Sequence, residues 1–332
     1  MTSAVVFAYH NVGVRCLSVL LKHGVEVPLV ITHQDNPNET IWFDSVAALA
    51  QQHGIAVITP DDPNTPEVIA QVHAAQPDFI FSFYYRNMLG VPLLSIPKRG
   101  AYNMHGSLLP KYRGRVPVNW AIIHGETETG ATLHAMNVKP DNGAIVAQEA
   151  VPISINDTAE EVFTKVTGAA ERALDKVLPA LMAGSARHTP QDLTQGGYFK
   201  GRKPEDGRID FTWGGQRIHN FVRALTRPYP GAFADVVIVN SAASGATSGG
   251  STSSAKRIII WATRLEPLRD KGLKASASGK PLTPTLSEEG TNVILRCPDG
   301  VRVIILELEA DSIAVTAANF ESVFGRRSIG LA

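Results

Sequence analysis

The first half of the chain alternates short apolar runs with segments in which apolar residues recur at helical spacing. Residues 4–8 are continuously apolar, as expected of a strand that is buried on both faces, and the next segment repeats Val12, Cys16, Val19 and Leu20 on one helical face. The same patterns predict strands over 27–32, 56–59 and 78–83, and helices over 12–23, 43–53 and 66–75. Strands separated by helices require crossover connections, so the pattern predicts an open, mostly parallel, Rossmann-like α/β sheet.

The longest helical pattern of the chain is predicted to begin at Asp157. Glu160 follows at the spacing of a capping box, and apolar residues then keep to one face as far as Leu181. Gly184 is the predicted end, because glycine commonly terminates helices.

After about residue 205 the crossover helices disappear. Short strand candidates follow one another over 233–239, 257–261, 292–296 and 301–307. This pattern predicts a small antiparallel β-barrel, and therefore two domains, with an α/β domain over 1–204 and the barrel over 205–332.

Two polar stretches interrupt the second domain. Residues 241–255 contain only Ser, Ala, Gly and Thr, and such a segment buries too little apolar surface to offset its ordering entropy. We expect a mobile hairpin insertion there, and a second exposed loop over 270–290.

Composition and charge limit the function classes. The 332 residues include 31 basic and 31 acidic side chains, and a zero net charge disfavours nucleic acid as a partner. Cys16 and Cys297 lack the spacing of a metal site or a disulfide framework. The N-terminal segment has no signal-peptide pattern and no apolar run is long enough to span a bilayer, so we expect a cytoplasmic protein without membrane insertion.

The first strand-to-helix turn excludes two common nucleotide sites. It reads Ala8-Tyr9-His10-Asn11-Val12-Gly13, with a single glycine where a dinucleotide site needs three, and no P-loop pattern occurs in the chain. The sequence therefore predicts neither NAD nor P-loop chemistry. Tyr9 in this turn is a candidate substrate-binding residue.

The densest cluster of polar residues covers 103–115 and contains Asn103 and His105. In an extended strand, residues two apart share one face, so the amide and the imidazole are expected side by side. This pair suits acyl transfer, because the amide donates to a developing oxyanion while the imidazole moves a proton. The alternative is that His105 is a loop histidine with satisfied hydrogen bonds and Asn103 a turn residue.

Asp141 lies in the turn-rich segment 137–144, between strand-like segments over 132–136 and 145–148. A carboxylate folded back against His105 would fix the imidazole tautomer and raise its basicity. The alternative is an aspartate that only forms a turn.

The run Asn103-x-His105-Gly-Ser-Leu-Leu-Pro-Lys-Tyr-Arg-Gly, followed by Asp141-x-Gly143, resembles the signature of folate-dependent formyltransferases. The resemblance covers most of the chain except the two polar stretches, and it implies an α/β formyltransferase domain followed by a small β-barrel. It implies transfer of a formyl group from 10-formyltetrahydrofolate to an amine, with no metal and no NAD. Asn103, His105 and Asp141 would be the catalytic trio. The positions that match the family's folate contacts are Asn87, Met88, Leu89, Arg115, Asn137, Val138, Lys139, Pro140 and Asp141.

Three further segments, over 5–10, 32–37 and 81–86, resemble the branch of the family that formylates the 4-amino group of UDP-4-amino-4-deoxy-L-arabinose in lipid A modification. In that branch the domain is part of a bifunctional enzyme, and this chain is expected to be a stand-alone version. Arg202 and Lys203 would then pair with the diphosphate, for which a guanidinium is well suited, or lie in a solvated interdomain loop.

Other readings of the family resemblance stay open. A methionyl-tRNA formyltransferase needs a basic face for tRNA, whereas residues 34–42 contain no Lys or Arg. Another amino-sugar nucleotide is a second candidate acceptor, and a formyl-folate sensor without catalysis is a third reading. The remaining histidines of interest have no metal-ligand spacing and are predicted to be structural or at the surface: His10, His33, His124 and His134.

Overall fold

The computed structural model describes residues 1–37, 41–240, 252–266 and 282–331. The predicted insertion over 241–255 lies outside the described residues as far as residue 251, and the predicted loop over 270–290 lies outside them as far as residue 281. The strands are β1 (Ser3–Ala8), β2 (Glu26–Ile31), β3 (Ala56–Ile58), β4 (Phe79–Phe83), β5 (Gly100–His105), β6 (Arg113–Gly114), β7 (Glu128–Ala135), β8 (Ile145–Pro152), β9 (Tyr198–Phe199), β10 (Ala232–Asn240), β11 (Thr252–Leu265), β12 (Thr285–Glu289), β13 (Asn292–Arg296), β14 (Arg302–Ala310), β15 (Ile313–Val315) and β16 (Ser328–Gly330). The helices are α1 (His10–Lys22), α2 (Val46–Gln52), α3 (Pro66–Ala74), α4 (Val91–Leu94), α5 (Pro117–Ile123), α6 (Ala159–Ala183), α7 (Gly215–Leu225) and α8 (Phe320–Phe324).

The predicted open, mostly parallel sheet is present. Within the described residues its strands lie in the order β3-β2-β1-β4-β5-β7-β8. The first five are parallel, and β7 and β8 are added antiparallel to β5. The apolar runs that predicted β1 and β4 are buried throughout both strands, except at Ser3.

The two faces of this sheet are covered differently. On one face, Val5 and Ile80 join a core that includes Val68 of α3, Leu89 and Ala101. Side chains alternate along a strand, so Asn103 and His105 of β5 share the face of Ala101.

The opposite face is covered by two helices that contact each other. Lys22 at the end of α1 and His23 after it both contact Asp175 of α6, at 3.1 Å and 2.8 Å. The α6 helix begins later than predicted, because the Asp157 carboxylate accepts a hydrogen bond from the Ser154 amide at 2.6 Å in the preceding turn.

The second sheet is antiparallel and nearly closed, as the short strands predicted, with the order β10-β11-β14-β13-β12-β16 among the described residues. The structure corrects two loop boundaries. Thr252 already pairs with Asn240, because backbone pairing continues into the Ser/Thr-rich segment without needing apolar side chains. Thr285–Glu289, expected to be loop, form β12, because the fully buried Leu286 pairs with both β13 and β16.

The chain divides into two compact units, each of which is built from several separate segments of the sequence. The first contains Met1–Ala121, Thr127–Ile153 and Glu161–Gly201, and the second contains Ile122–Glu126, Ser154–Glu160 and Arg202–Ala332. Ser154–Glu160 belong to the second unit because Arg223 donates to the Asp157 carbonyl at 2.7 Å and His219 contacts the Ile155 carbonyl at 2.9 Å. Throughout the described ranges, every helix is too short or too polar to cross a bilayer.

Candidate active site

Asn103 and His105 end strand β5, at the carboxyl edge of the parallel strands. The antiparallel neighbour β7 places His134 opposite Asn103 and Thr132 opposite His105. The carboxyl edge of an open α/β sheet is where such folds bind their ligands.

Thr132 fixes the loop that follows His105. Its hydroxyl donates to the Ser107 carbonyl at 2.6 Å and accepts from the Leu109 amide at 3.1 Å. Gln148 on β8 donates to the Leu109 carbonyl at 2.8 Å. Buried hydrogen bonds of this kind cost about 1–3 kcal/mol when one partner is removed, so the loop has little freedom beside the imidazole.

His105 is buried, with 6% of its surface exposed, and its two ring nitrogens have different surroundings. Nε2 lies 2.8 Å from the Tyr112 carbonyl and must donate to it, because a carbonyl only accepts. In the neutral ring Nδ1 then has a lone pair, and it lies 3.5 Å from Asp141 Oδ1. Burial lowers the pKa of His105, although Asp141 and the Tyr112 hydrogen bond oppose the shift. Burial therefore favours the neutral ring, in which Nδ1 carries the lone pair.

Asp141 is held from several sides. Its backbone has φ of 55°, and the Gln191 amide donates to its carbonyl at 2.9 Å. Its Oδ2 accepts a hydrogen bond from the Gly114 amide at 2.8 Å, which leaves Oδ1 to face the two histidines. Burial raises the pKa of Asp141, but His105, His134 and the Gly114 amide outweigh burial and lower it to about 2. The carboxylate is therefore ionised beside His105.

His134 is the site residue that the sequence analysis missed. Its sequence context predicts a structural or surface histidine, but it is buried inside the cluster, with its Nε2 3.2 Å from Asn103 Nδ2 and 3.5 Å from Asp141 Oδ1. Its Nδ1 donates to the Ala135 carbonyl at 2.9 Å, and its Nε2 accepts from Asn103 Nδ2, because an amide nitrogen only donates. No sequence spacing indicates this contact, since only the pairing of β5 with β7 brings position 134 opposite position 103.

The cluster contains the three functions that acyl transfer requires. Asn103 has a second N–H beyond the one donated to His134, and this N–H can stabilise an oxyanion. His105 can accept and return a proton through Nδ1, and ionised Asp141 stabilises the imidazolium that forms. The structure thus brings together the three residues that the sequence singled out.

The first predicted folate segment follows β4. The Asn87 side chain donates to the Asp61 carbonyl at 2.9 Å, and the Met88 carbonyl accepts from Asn64 at 3.0 Å. Leu89 is buried in the core, whereas Met88 is half exposed. Of these three side chains, Met88 is the most exposed.

The second predicted folate segment is the loop before Asp141. Asn137 accepts from the Lys139 amide at 2.9 Å, and Val138 is 70% exposed. Lys139 is exposed and Pro140 half-buried beside Asp141. The predicted contact Arg115 is exposed on the first unit, with its amide bonded to the Phe199 carbonyl at 2.9 Å.

The predicted substrate-binding residues lie in both units. Tyr9 is buried in the first unit, where its hydroxyl donates to Asp35 at 2.8 Å. Arg202 and Lys203 lie in the second unit; the Arg202 guanidinium bonds to the Asp206 carbonyl at 2.5 Å, and Lys203 is exposed. Within the described ranges, no group of three or more His, Cys, Asp or Glu side chains is arranged to hold a metal ion.

The cluster lies at the sheet edge where open α/β folds bind their ligands, and it offers an amide, an imidazole and a carboxylate. This arrangement is typical of enzymes that transfer acyl groups. Two family models identify the group. Residues 14–178 match the model described as formyl transferase, and residues 202–323 match the formyl transferase C-terminal domain. The chain belongs to the formyl transferase family and is a formyltransferase.

Solved structures with the same fold include sugar N-formyltransferases. The N-formyltransferase from Helicobacter canadensis, in complex with folinic acid and dTDP-3-aminofucose, is 22% identical with a TM-score of 0.64, over 92% of this chain and 99% of that one. WlaRD, a sugar 3N-formyl transferase solved with dTDP and 5-N-formyl-THF, is 21% identical with a TM-score of 0.66, over 92% and 97%. HypX from Aquifex aeolicus, in complex with tetrahydrofolic acid, is 17% identical with a TM-score of 0.58, over 96% of this chain and 47% of that one.

Proposed function

We propose that this formyltransferase transfers the formyl group of 10-formyltetrahydrofolate to the 4-amino group of a UDP-amino sugar, UDP-4-amino-4-deoxy-L-arabinose, in lipid A modification. The observation that supports the chemistry most directly is the cluster of Asn103, His105 and Asp141, with the His105 Nδ1 lone pair 3.5 Å from an ionised carboxylate.

The proposed reaction begins with a neutral amine that attacks the formyl carbon. The carbonyl oxygen becomes negative in the tetrahedral intermediate, and the free N–H of Asn103 donates to it. His105 Nδ1 takes the proton from the attacking nitrogen and returns a proton to N10 of the folate as the C–N bond to the formyl carbon breaks. Asp141 acts through His105 by stabilising its charged form, and is not expected to contact the acceptor.

Formyl-folate as the formyl donor is supported by exposed apolar side chains around the predicted folate segments. Met88 is 50% exposed, Val91 54% and Val138 70%, and such side chains suit contact with the flat rings of a pterin and an aminobenzoyl group. The structural neighbours were solved with folinic acid, 5-N-formyl-THF and tetrahydrofolic acid.

A nucleotide sugar as the acceptor is supported by two observations. Two neighbours that cover nearly the whole chain were solved with dTDP or a dTDP-amino sugar. The segments over 5–10, 32–37 and 81–86 resemble the formyltransferase half of the bifunctional ArnA protein, which is the reason for choosing UDP-4-amino-4-deoxy-L-arabinose among the amino sugars. The zero net charge argues against methionyl-tRNA.

The test is a comparison of acceptors at fixed 10-formyltetrahydrofolate. UDP-4-amino-4-deoxy-L-arabinose, dTDP-3-aminofucose and methionyl-tRNA are each supplied to the purified protein, and kcat/KM is measured from tetrahydrofolate release. We expect the UDP-pentose to exceed both others by at least ~100-fold, the order of discrimination that a few hydrogen bonds in a pocket provide. A higher kcat/KM for dTDP-3-aminofucose would change the proposed acceptor, and one for methionyl-tRNA would refute the nucleotide-sugar assignment.

A further inference from the structure

We propose that His10 is an acceptor-binding residue, whose Nε2–H donates a hydrogen bond to a phosphate oxygen of the nucleotide sugar beside Arg86. The inference rests on the proposed function, because it assumes an acceptor that contains a diphosphate.

His10 lies at the point where the strand order reverses. From β1 the sheet continues to β2 on one side, and from β4 it continues to β5 on the other. In open α/β sheets the crevice outside the carboxyl ends of two such strands is the preferred ligand site. His10 follows β1, and Tyr84 and Arg86 follow β4, so these residues line the crevice next to the strand that contains Asn103 and His105.

Both strand ends at this crevice hold a residue other than glycine in a left-handed conformation. φ is 65° at His10 and 57° at Tyr84, a strained conformation for residues that have a Cβ. Both rings pack edge-on against Phe163 of α6, with ring centroids 4.6 Å and 5.3 Å away. Strain of this kind is retained where the packing fixes the backbone, and it occurs most often at functional sites.

The hydrogen bonding of His10 determines which nitrogen can serve a ligand. Nδ1 accepts from the Asn11 amide at 2.9 Å, so Nε2 bears the proton of the neutral ring. Burial, and then the charge of Arg86, lower the pKa of His10 to about 4, which keeps the ring neutral. No residue in the described part of the chain accepts a hydrogen bond from Nε2, and the side chain is half-buried. Nε2 of His10 is therefore a neutral N–H donor that is available to a ligand.

The direction of this donor is fixed by packing. The imidazole stacks on Phe43 with a centroid distance of 4.0 Å and meets Trp42 edge-on at 4.6 Å. The Asp44 amide donates to the Asn11 side chain at 2.8 Å, which ties this aromatic segment to the start of α1. A pre-oriented N–H loses little conformational entropy when a ligand binds.

Arg86 supplies the charge that a phosphate requires. Its amide donates to His33 Nε2 at 3.0 Å, and its guanidinium lies 4.8 Å from the centre of the Tyr9 ring. The same guanidinium is near enough to lower the pKa of both His10 and His33. One guanidinium and one neutral donor at the same crevice fit an anionic group with several oxygens, such as a diphosphate.

The crevice adjoins the reacting centre but differs from the predicted folate face. A Cβ added to Gly106, the residue after His105, would lie 1.9 Å from the Tyr84 hydroxyl, so Tyr84 reaches the catalytic strand. Leu89, in the predicted folate segment, packs with Tyr85 on the face covered by α3, whereas His10 and Tyr84 pack on α6. The nucleotide sugar on the α6 side and the folate on the α3 side can therefore meet at the sheet edge beside His105.

The experiment compares His10→Ala with Phe43→Leu. His10→Ala removes the donor, and Phe43→Leu removes the stacking partner while keeping the donor. UDP affinity is measured by titration calorimetry, and KM is measured for each substrate. We expect His10→Ala to weaken UDP binding and raise the KM for the UDP-amino sugar by ~10-fold or more, the effect of losing a hydrogen bond to a charged group. The KM for 10-formyltetrahydrofolate should stay unchanged, and Phe43→Leu should have the smaller effect on UDP.

His10→Asn guards against misfolding, because asparagine tolerates the left-handed conformation and keeps an N–H donor. We expect it to bind UDP more tightly than His10→Ala does. Equal UDP affinity in wild type and His10→Ala would overturn the inference while leaving the proposed function intact, and so would parallel losses for both substrates. A wild-type protein that binds neither UDP nor dTDP would refute both.

Discussion

The side-chain amide of Asn103 donates a hydrogen bond to His134 Nε2 over 3.2 Å, and this bond determines which way the amide faces. A rotated amide would place two acceptors, Asn103 Oδ1 and His134 Nε2, against each other. The bond therefore keeps Nδ2, with its second N–H, available for an oxyanion. We therefore expect His134 to act as a positioning residue through Asn103.

Replacing His134 by leucine should lower kcat by ~10–100-fold, because an amide that rotates stabilises the oxyanion for only part of the time. The KM for 10-formyltetrahydrofolate should change little. The matched control is His188→Leu, since His188 contacts Tyr102, the residue before Asn103 on β5, at 3.0 Å. Steady-state kinetics of the two variants measure kcat and KM. Equal losses in kcat for His134→Leu and His188→Leu would mean that His134 only stabilises the strand.

The pH dependence of kcat/KM, which reports the free enzyme, should show an acid limb with a midpoint below the ordinary histidine pKa of 6.5, because burial lowers the pKa of His105 and activity needs the neutral ring. Asp141 raises the pKa of His105, so Asp141→Asn should move the midpoint to still lower pH as well as slowing the reaction. The pH profiles of kcat/KM for both proteins test this. An unchanged or higher midpoint in Asp141→Asn would show that the carboxylate does not act on the titrating group.

The proposed catalytic residues His105 and Asp141 should behave as one unit. His105→Ala alone removes the base, so a further Asp141→Asn change has little left to affect, and the double variant should lose far less activity than the product of the two single losses. Asn103→Ala should lower turnover by ~10²–10³-fold with folate affinity roughly intact. Single-turnover rates of the four proteins in the His105/Asp141 cycle measure the coupling, and independent losses would contradict the assigned role of Asp141.

Gly114 should be required for stability and turnover because a side chain there would clash with Phe199 and disturb the contact with Asp141. This effect can be separated from backbone strain by a control glycine. Its φ is 98°, a Cβ would lie 2.2 Å from the Phe199 carbonyl oxygen, and its amide holds Asp141 Oδ2. Gly54 has a comparable φ of 67°, and a Cβ added there would meet no atom within 4 Å, so Gly54→Ala isolates the strain, roughly 1–2 kcal/mol.

We expect Gly114→Ala to lower the free energy of unfolding more than Gly54→Ala does, and to lower kcat as well. Urea unfolding and turnover of the two variants give both quantities. Normal turnover in a folded Gly114→Ala protein would show that the Asp141 contact is dispensable.

Local patterns were sufficient to predict most of the first sheet and part of the site. The apolar runs of β1 and β4 and the helical repeat of α6 are local signals, as is the two-residue spacing of Asn103 and His105. The position of Asp141 could be proposed because its turn connects two predicted strands, β7 and β8.

What the sequence could not provide depends on pairing between distant segments. His134 enters the site only through the register of β5 with β7, and β12 forms only because β13 and β16 flank it. Ser154–Glu160 belong to the second unit because Arg223, which lies far along the chain, binds the Asp157 carbonyl. The sequence does not distinguish His10 from the other scattered histidines, because no local pattern shows its strained backbone or its aromatic surroundings.

The most direct test of the central claim is acceptor-dependent consumption of 10-formyltetrahydrofolate. Purified wild-type protein and His105→Ala are each mixed with 10-formyltetrahydrofolate, with and without UDP-4-amino-4-deoxy-L-arabinose, and the formylated sugar and released tetrahydrofolate are quantified. The account predicts equal amounts of both products from the wild type only when the amino sugar is present, and a rate lower by orders of magnitude for His105→Ala. Tetrahydrofolate release without the acceptor, or equal rates for the two proteins, would contradict it.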